Sequence, residues 1–581
     1  MALDPITLEV LNNRLREIVS TMERLLFHSG YSTILRESHD GSACLTDRDG
    51  HVVMGSGLPI HLFPYFYIVG AVLRQYPPEE MQEGDSYIIT DPYLGGNLHV
   101  PDLAVVTPIF LGGELLGFGA SIAHKPDLGG LVPGSSSANA REIYHDGLLL
   151  PPVRYWTKDG VAKDVDAILR RNCRMPEVVA GDVRAQVGCT RVGATKLLEL
   201  CAEYGADTIA ESFRRLQELS ERRMREALQK WQDGESEAQA WMDSDGVDLD
   251  TRISVRVRVV KKGDGITFDL SEMNDQVRGP INIRPQATES GAALALLGFL
   301  DPTIPINDGC RRVITFVNPE GKLTNPRFPA PINNYYPTTH VVYSAIQKAL
   351  AVFNPGRGVG ATGFGTGGNT LGYRRARAGK PAVQYEIFAV SMGGTPASDG
   401  TPYVMPMSHI TPFTPIEILE TEYPVRVTRF EPIADSCGVG RHRGGPGYRK
   451  EYRLLGDAVF TLRMGGFRTG AWGVLGGKAP TLASCTLNPG TEREERLPPL
   501  MTREVTDGDV IRIELPGGGG YGNPLEREPV EVREDVLNGY LSLETAEREY
   551  GVAIDRTTLA LDGERTARLR AERAAAGGRK S

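Results

Sequence analysis

The sequence predicts a multi-domain α+β protein, with mixed sheets flanked by helices and a β-rich C-terminal domain. Three observations predict it. Apolar residues recur with a helical period over 8–26 and 209–231, they alternate with a period of two over 252–270, and four β-type runs separated by glycine-rich turns fill 425–514. A chain of 581 residues is long enough for three or four domains. The expected divisions are an N-terminal unit (1–165), a helical connector (166–240), an α+β domain (241–420), a β-rich domain (421–525) and a helical C-terminal tail (526–581).

In chain order, Asp4-Pro5 reads as an N-cap followed by proline at the first helical position. A helix of about six turns follows, with Leu8, Leu11, Leu15, Ile18, Val19, Met22, Leu25 and Leu26 on its apolar face. Two short strands, 43–46 and 51–54, flank an Asp-Arg-Asp-Gly turn, with Asp40 just before the first and His61 just after the second. The centre of the N-terminal unit is 90–130, TDPYLGGNLHVPDLAVVTPIFLGGELLGFGASIAHKPDLGG. It carries His-x-x-Asp twice, as His99/Asp102 and His124/Asp127, each beside paired glycines. An apolar run over 103–110, a Gly112-Gly113 turn and a second apolar run from Leu115 read as a buried β-hairpin. Folding it back should bring the two His/Asp pairs together and make 1–165 a metal-site domain, because imidazoles and carboxylates around one point suit a divalent ion such as Zn, Mn or Fe. Either Asp40 or His61 can reach the same point.

Residues 165–232 are helical in pattern and serve as a charged brace. Strands over 252–260 and 266–270, an apolar helix over 292–300, and a loop PAPINNYYPTTH (329–340) running into a helix over 344–353 make the α+β domain. The runs within 425–514 predict a β-sandwich or barrel-like layer, and the last fifty residues a helical tail with a frayed Arg/Ala/Glu end, RTARLRAERAAAGGRKS.

Several motifs carry less than they suggest. Ser135, Ser136 and Ser137 follow a Pro-Gly turn and no Gly-x-Ser-x-Gly elbow occurs, so a turn is expected there and not a nucleophile. Gly358, Gly360 and Gly363 match Gly-x-Gly-x-x-Gly, but without a preceding apolar strand a flexible loop is the better expectation. The four glycines of 517–520 are expected to form a hinge loop. There is no P-loop, so any ATP must be held by another subunit. A net charge of −9 with no basic stripe excludes a nucleic-acid binder. Seven scattered cysteines without Cys-x-x-Cys, no signal-peptide pattern and no long apolar stretch point to a reduced, cytoplasmic protein with no membrane span.

Six segments carry a family resemblance: DPYLGGNLHVPD (91–102), AHKPDLGGLVPGS (123–135), EIYHDGLLLPP (142–152), TEYPVRVTRFEP (421–432), GVGRHRGGPG (438–447) and PGGGGYGNPLERE (516–528). Together they resemble the hydantoinase B/oxoprolinase family over nearly the whole chain. That family includes subunits of N-methylhydantoinase, caprolactamase and the acetone and acetophenone carboxylases, and part of 5-oxoprolinase. The resemblance implies one divalent transition metal, Zn or Mn, held by His99, Asp102 and His124 with Asp40 as the fourth ligand; Lys125, Asp127 and His61, by their places in the sequence, are candidates beside them toward the substrate. It further implies a separate hydantoinase A-type ATPase subunit that uses ATP, a hetero-oligomer such as (AB)2, and a small cyclic amide or ketone as substrate. Three readings follow: the B-type (beta) subunit of an ATP-dependent cyclic-amide hydrolase that completes ring opening of a phosphorylated substrate; a subunit of an acetone/acetophenone-type carboxylase; or a non-catalytic structural subunit. Two departures stand out, Lys125 where many relatives have His and SHITPFTP (408–415) where they often have TNTxNTP. A lysine beside the metal either neutralises an anionic intermediate of a different substrate or marks a subunit without turnover.

Overall fold

The computed structural model describes residues 3–376, 379–404 and 411–577. The side chain of Asp4 accepts the backbone N–H groups of Ile6 and Thr7 and caps α1 (Pro5–His28), whose Leu11, Leu15, Met22 and Leu26 are buried. After a one-turn helix α2 (Thr33–Arg36) come β1 (Gly41–Asp47), β2 (Val52–Gly57), α3 (Pro64–Gln75), β3 (Ser86–Ile89), β4 (Asp102–Leu111), β5 (Glu114–His124), β6 (Val153–Thr157) and β7 (Gly160–Val161). These strands form one antiparallel sheet in the order β2-β1-β5-β4-β3-β6-β7. The expected hairpin is therefore its centre. Gly112 and Gly113 turn it with φ of 62° and 89°, a left-handed conformation that glycine adopts without strain. Helix α3 packs Tyr65, Ile68 and Val69 on one face against Ala104, Val106 and Phe118. Burial on both faces explains why 103–110 does not alternate and is apolar but for Thr107, whose hydroxyl meets those of Ser86 and Thr190.

The other face is covered by α1 and by the second of three helices, α4 (Lys163–Asn172), α5 (Pro176–Tyr204) and α6 (Ala206–Leu228). Within α5, Gln186 Nε2 donates to the carbonyls of Leu103 and Ser121, 2.9 and 3.2 Å away, tying the helix to the hairpin. Helix α6 is the brace expected from its pattern: Ile209, Phe213 and Leu216 enter the N-terminal core, while Met224 and Leu228 enter the next one.

That next core lies under β8 (Gly234–Met242), β9 (Ile253–Lys262), β10 (Gly265–Asp269) and β11 (Ile314–Val317), in the order β11-β10-β9-β8. Strand β8 begins inside the expected connector. Helices α7 (Pro285–Phe299) and α8 (Tyr335–Leu350) cover the sheet, and both start earlier than expected. Pro285 and Pro337 explain this, since proline is tolerated in a first helical turn, where its missing N–H has no intrahelical partner. The loop PAPINNYYPTTH thus ends inside α8.

The β-rich part begins before 421. Strands β12 (Gly367–Tyr373) and β13 (Ala382–Phe388) join a sheet with β16 (Ala458–Arg463) and β19 (Leu500–Val505), in the order β13-β12-β16-β19. A second sheet, β14-β15-β20-β17-β18, uses β14 (Val425–Pro432), β15 (Tyr448–Leu454), β17 (Ser484–Leu487), β18 (Glu495–Arg496) and β20 (Val510–Leu515). The two share a core that includes Leu371, Phe388, Tyr452, Phe460 and Ile513, which makes them a sandwich. The last helix, Gly563–Gly577, is held by Arg570, which donates to the carbonyls of Tyr550 and Arg527; 578–581 of the expected frayed end lie outside the described residues.

Two expectations fail here. Neither the flexible loop at 354–368 nor the hinge at 516–528 describes its glycines, which pack backbone against backbone. Gly360 N donates to Gly394 O, Gly394 N to Gly519 O, Gly519 N to Ala361 O, Gly438 N to Gly518 O and Gly518 N to Gly445 O. A Cβ on Gly518 would lie 2.0 Å from the Met392 carbonyl oxygen, and one on Gly444 would lie 1.8 Å from that of Gly518. Side chains are missing because other backbones fill their space. No described helix is long and apolar enough to cross a membrane.

Candidate metal centre

Sheet register brings the donors together. In the hairpin Asp102 pairs directly with His124, and β1 pairs Gly41 with Ala123, so Asp40 falls beside His124, whose backbone N–H donates to the Asp40 carbonyl (3.1 Å). Three adjacent strand ends thus present Asp40, His124 and Asp102 in a row. His99 comes from the preceding loop, which the Asp91 carboxylate caps at Tyr93 N and Leu94 N. Asn97 then ties that loop to the carbonyls of Ile89 and Asp102.

His99 Nε2 lies 3.1 Å from Asp102 Oδ1 and 3.2 Å from His124 Nδ1, and His124 Nδ1 lies 3.4 Å from Asp102 Oδ1. Donors on one ion, each about 2.0–2.2 Å from it, are about 3–3.6 Å apart. His99, Asp102 and His124 therefore have the spacing of a metal-binding triad, and all three are buried. Asp40 is further out, with its Oδ2 3.9 Å from His124 Nδ1. His61 lies on the far side of Asp102, 3.8 Å from Oδ2, its Nδ1 held 3.2 Å from the Ser42 hydroxyl. Asp102 Oδ2 and His124 Nε2 are buried without a hydrogen-bond partner.

The surroundings decide which nitrogen of His99 is free. Its Nδ1 is 3.0 Å from Asn333 Oδ1 and 3.1 Å from the Asn333 carbonyl oxygen. Asn333 Nδ2 donates to Ser135 O, which fixes the amide with its oxygen toward the ring. A nitrogen facing two acceptors must carry the proton, so Nε2 is the atom left to take a second proton or a metal. Burial would depress His99, but the Asp102 carboxylate overrides it and raises its pKa. Burial also opposes ionisation of Asp102, yet His99 and His124 outweigh it and hold the carboxyl far below its usual range. Burial pushes His124 down to about 3 and His61 down to about 4, keeping both in the neutral form that ligates. For Asp40, burial and then the Asp102 charge push the pKa up to about 7.

Two candidates are not where the spacing placed them. Asp127 does not join His124; its carboxylate accepts from Gly129 N, Gly134 N, Arg174 N and Arg174 Nη1 (3.0 Å) and so organises the loop after β5. The hairpin register ends at His124, and Asp127 lies beyond it in a turn. Lys125 is fully buried but does not line the cavity. Its Nζ donates to Ala123 O (3.1 Å), and burial brings its pKa down to about 8 against the opposing charge of Asp182 on α5. Lys125 follows the last residue of β5, and its side chain turns to the side of Asp182 on α5, away from the cavity that His124 faces. Ser135 behaves as the turn residue expected, bridging Leu128 N and Gly129 O. Of the other departure, SHITPFTP, residues 408–410 lie outside the described residues.

The cavity is walled by residues that spacing did not reveal: Asn333 and Tyr335 at the start of α8, Gly367 and Gly368 of β12, Tyr385 of β13, and Arg463 at the end of β16. The Tyr335 ring lies 4.8 Å from that of His99, and the Tyr385 ring 4.4 Å from that of His124.

A multi-domain α+β fold whose largest sheet ends in two buried imidazoles and a carboxylate defines a class, that of proteins with a buried His/Asp metal-type centre at a domain junction. Within that class the chain belongs to the hydantoinase B/oxoprolinase family, whose model matches residues 4–524. It is 33% identical over 98% of both chains to a protein of Pseudomonas sp. (strain NS671) whose name describes the B-type component of a D-/L-hydantoinase. It is 27% identical to the acetophenone carboxylase delta subunit of Aromatoleum aromaticum, over 92% of this chain and 84% of that one. The solved structure of an ATP-dependent caprolactamase from Pseudomonas jessenii superimposes with a TM-score of 0.90 at 30% identity, covering 98% of this chain and 100% of that one.

Proposed function

We propose that this chain is the metal-containing B-type subunit of an ATP-dependent cyclic-amide hydrolase, completing the opening of a ring activated by a separate A-type ATPase subunit. The observation that carries the reading is the triad of donor atoms 3.1–3.4 Å apart at the floor of a buried cavity. Near end-to-end matches to a hydantoinase component and a caprolactamase favour the hydrolase over the carboxylase, whose delta subunit is covered over 84% of its length. His99, Asp102 and His124 would hold the ion, Zn or Mn, with Asp40 as the outer fourth donor. A divalent ion there supplies Lewis acidity, which polarises a carbonyl oxygen and lowers the pKa of water. The chain's own residues do the rest. Asn333 keeps the His99 proton on Nδ1, Asp102 holds both imidazoles in register, and Tyr335, Tyr385, Leu58 and Ile60 exclude bulk water from the reacting bond.

Purified protein should contain close to one equivalent of Zn or Mn, and His99→Ala and His124→Ala should each lose it while remaining folded. Full occupancy in both variants would overturn the assignment. Less than about a tenth of an equivalent in the wild type would favour a structural subunit instead, since such a site should hold its ion. With the A-type partner and ATP, a lactam and hydantoin panel should be hydrolysed. Labelled bicarbonate fixed into a ketone would end the hydrolase reading.

A further inference from the structure

Six cations are buried among the described residues: Lys125, Lys261, Arg443, Lys450, Arg463 and Arg527. Four have a carboxylate partner, Lys261 with Asp233, Arg443 with Asp535, Lys450 with Glu386 and Arg527 with Asp399. Lys125 donates to a backbone carbonyl away from the cavity. Arg463 is the exception: it is 6% exposed, lines the cavity, makes no ion pair within 4.0 Å among the described residues, and its Nε has no hydrogen-bond partner. The Tyr385 ring covers it, 4.7 Å from the guanidinium carbon. A buried charge left unpaired costs several kcal/mol unless something else satisfies it.

The space around Arg463 is shaped for its guanidinium. β12 pairs Gly368 opposite Arg463, and a Cβ on Gly368 would sit 3.2 Å from Nη2. A Cβ on Gly367 would lie 1.8 Å from the Arg463 carbonyl oxygen. The same Tyr385 ring that lies under Arg463 also packs on His124, so the cation and the donor cluster face one cavity. Charge points the same way. Arg463 is near enough to act on the Asp40 carboxyl, yet no described carboxylate lies within 4.0 Å to pair it.

We propose that Arg463 is the anion-recognition residue of this cavity, binding an anionic oxygen group, phosphate or carboxylate, of the molecule that reacts there. On the reading above that this cavity is the reaction site, its substrate or activated intermediate therefore carries such a group, held by the forked N–H donors of a guanidinium.

The test measures binding of inorganic phosphate and, separately, acetate to the full chain by titration calorimetry, together with metal content. Wild type should bind at least one of the two saturably. Arg463→Gln should weaken that anion by about tenfold or more, the size of a lost charge-assisted hydrogen bond. Arg463→Lys should recover part of it, and both variants should keep wild-type metal content. Loss confined to phosphate identifies a phosphoryl group, and loss confined to acetate identifies a carboxylate. Equal anion affinity in wild type and Arg463→Gln, or no binding of either anion to wild type, overturns the inference even if metal is present. Arg463-dependent binding in a chain that holds no metal upholds it and overturns the metal reading.

Discussion

Asn333 sets the chemistry of the donor cluster without belonging to it. Its carbonyl and amide oxygens take the Nδ1 proton of His99, so Asn333→Ala should leave the fold intact and weaken metal binding by about 10–100-fold, the usual cost of removing such an orienting partner. Competition with a chelator measures it, and Asn333→Asp, which keeps an acceptor, should restore most of the affinity. Unchanged affinity in the alanine variant would mean that the backbone carbonyl alone orients the ring and would refute a role for the Asn333 amide. Asp127 should behave in the opposite way: Asp127→Ala removes the acceptor of the Arg174 side chain and of three backbone N–H groups, costing about 1.5–3 kcal/mol in urea unfolding with metal content unchanged. His99, Asp102 and His124 were legible because a hairpin with a Gly-Gly turn fixes which residues meet. Asn333, Tyr385 and Arg463 were not, since they reach the cavity from more than 200 residues downstream and no local spacing encodes that approach. Asp127 shared the spacing of Asp102 but lies past the end of the strand, where register no longer applies.

At the scale of elements, the same composition has two meanings. Gly188 in α5 has open space where its Cβ would be, so Gly188→Ala should be neutral or stabilise by up to about 1 kcal/mol through helix propensity. Gly518→Ala would drive a methyl to 2.0 Å from the Met392 carbonyl oxygen and force apart segments joined by Gly518 N to Gly445 O and Gly438 N to Gly518 O. A loss of about 3 kcal/mol or more is expected, beyond ordinary overpacking because backbones and not flexible side chains must yield. Paired urea denaturation curves decide it, and a Gly518→Ala midpoint near wild type would mean that the glycine layer is loose. Sequence reading took 354–368 and 516–528 for mobile loops because glycine reports only that a side chain is missing. What fills the space comes from other segments, and the loop PAPINNYYPTTH likewise hides the start of α8, whose first turn contains Pro337.

For the whole molecule, the donors belong to the N-terminal sheet while the groups that orient and enclose them come from α8, β12, β13 and β16. The expected divisions at 240 and 420 cut through this arrangement, because β8 starts at Gly234 and β12, which carries β13 on its other edge, pairs with β16 beyond 421. A centre assembled across units couples their stabilities. Metal bound only to the native state adds RT ln(1 + [L]/Kd), about 2.7 kcal/mol at a hundredfold excess over Kd, and this should appear in the unfolding of the C-terminal sandwich as well as of the N-terminal sheet. Urea titration of the metal-loaded chain, followed by metal release and by far-ultraviolet circular dichroism, should therefore give coincident midpoints that shift upward together with metal. If the sandwich unfolded first while the ion stayed bound, the N-terminal sheet together with Asn333 would suffice to hold it. Tyr385 and Arg463, which belong to the sandwich, would then serve whatever enters the cavity and add nothing to metal retention.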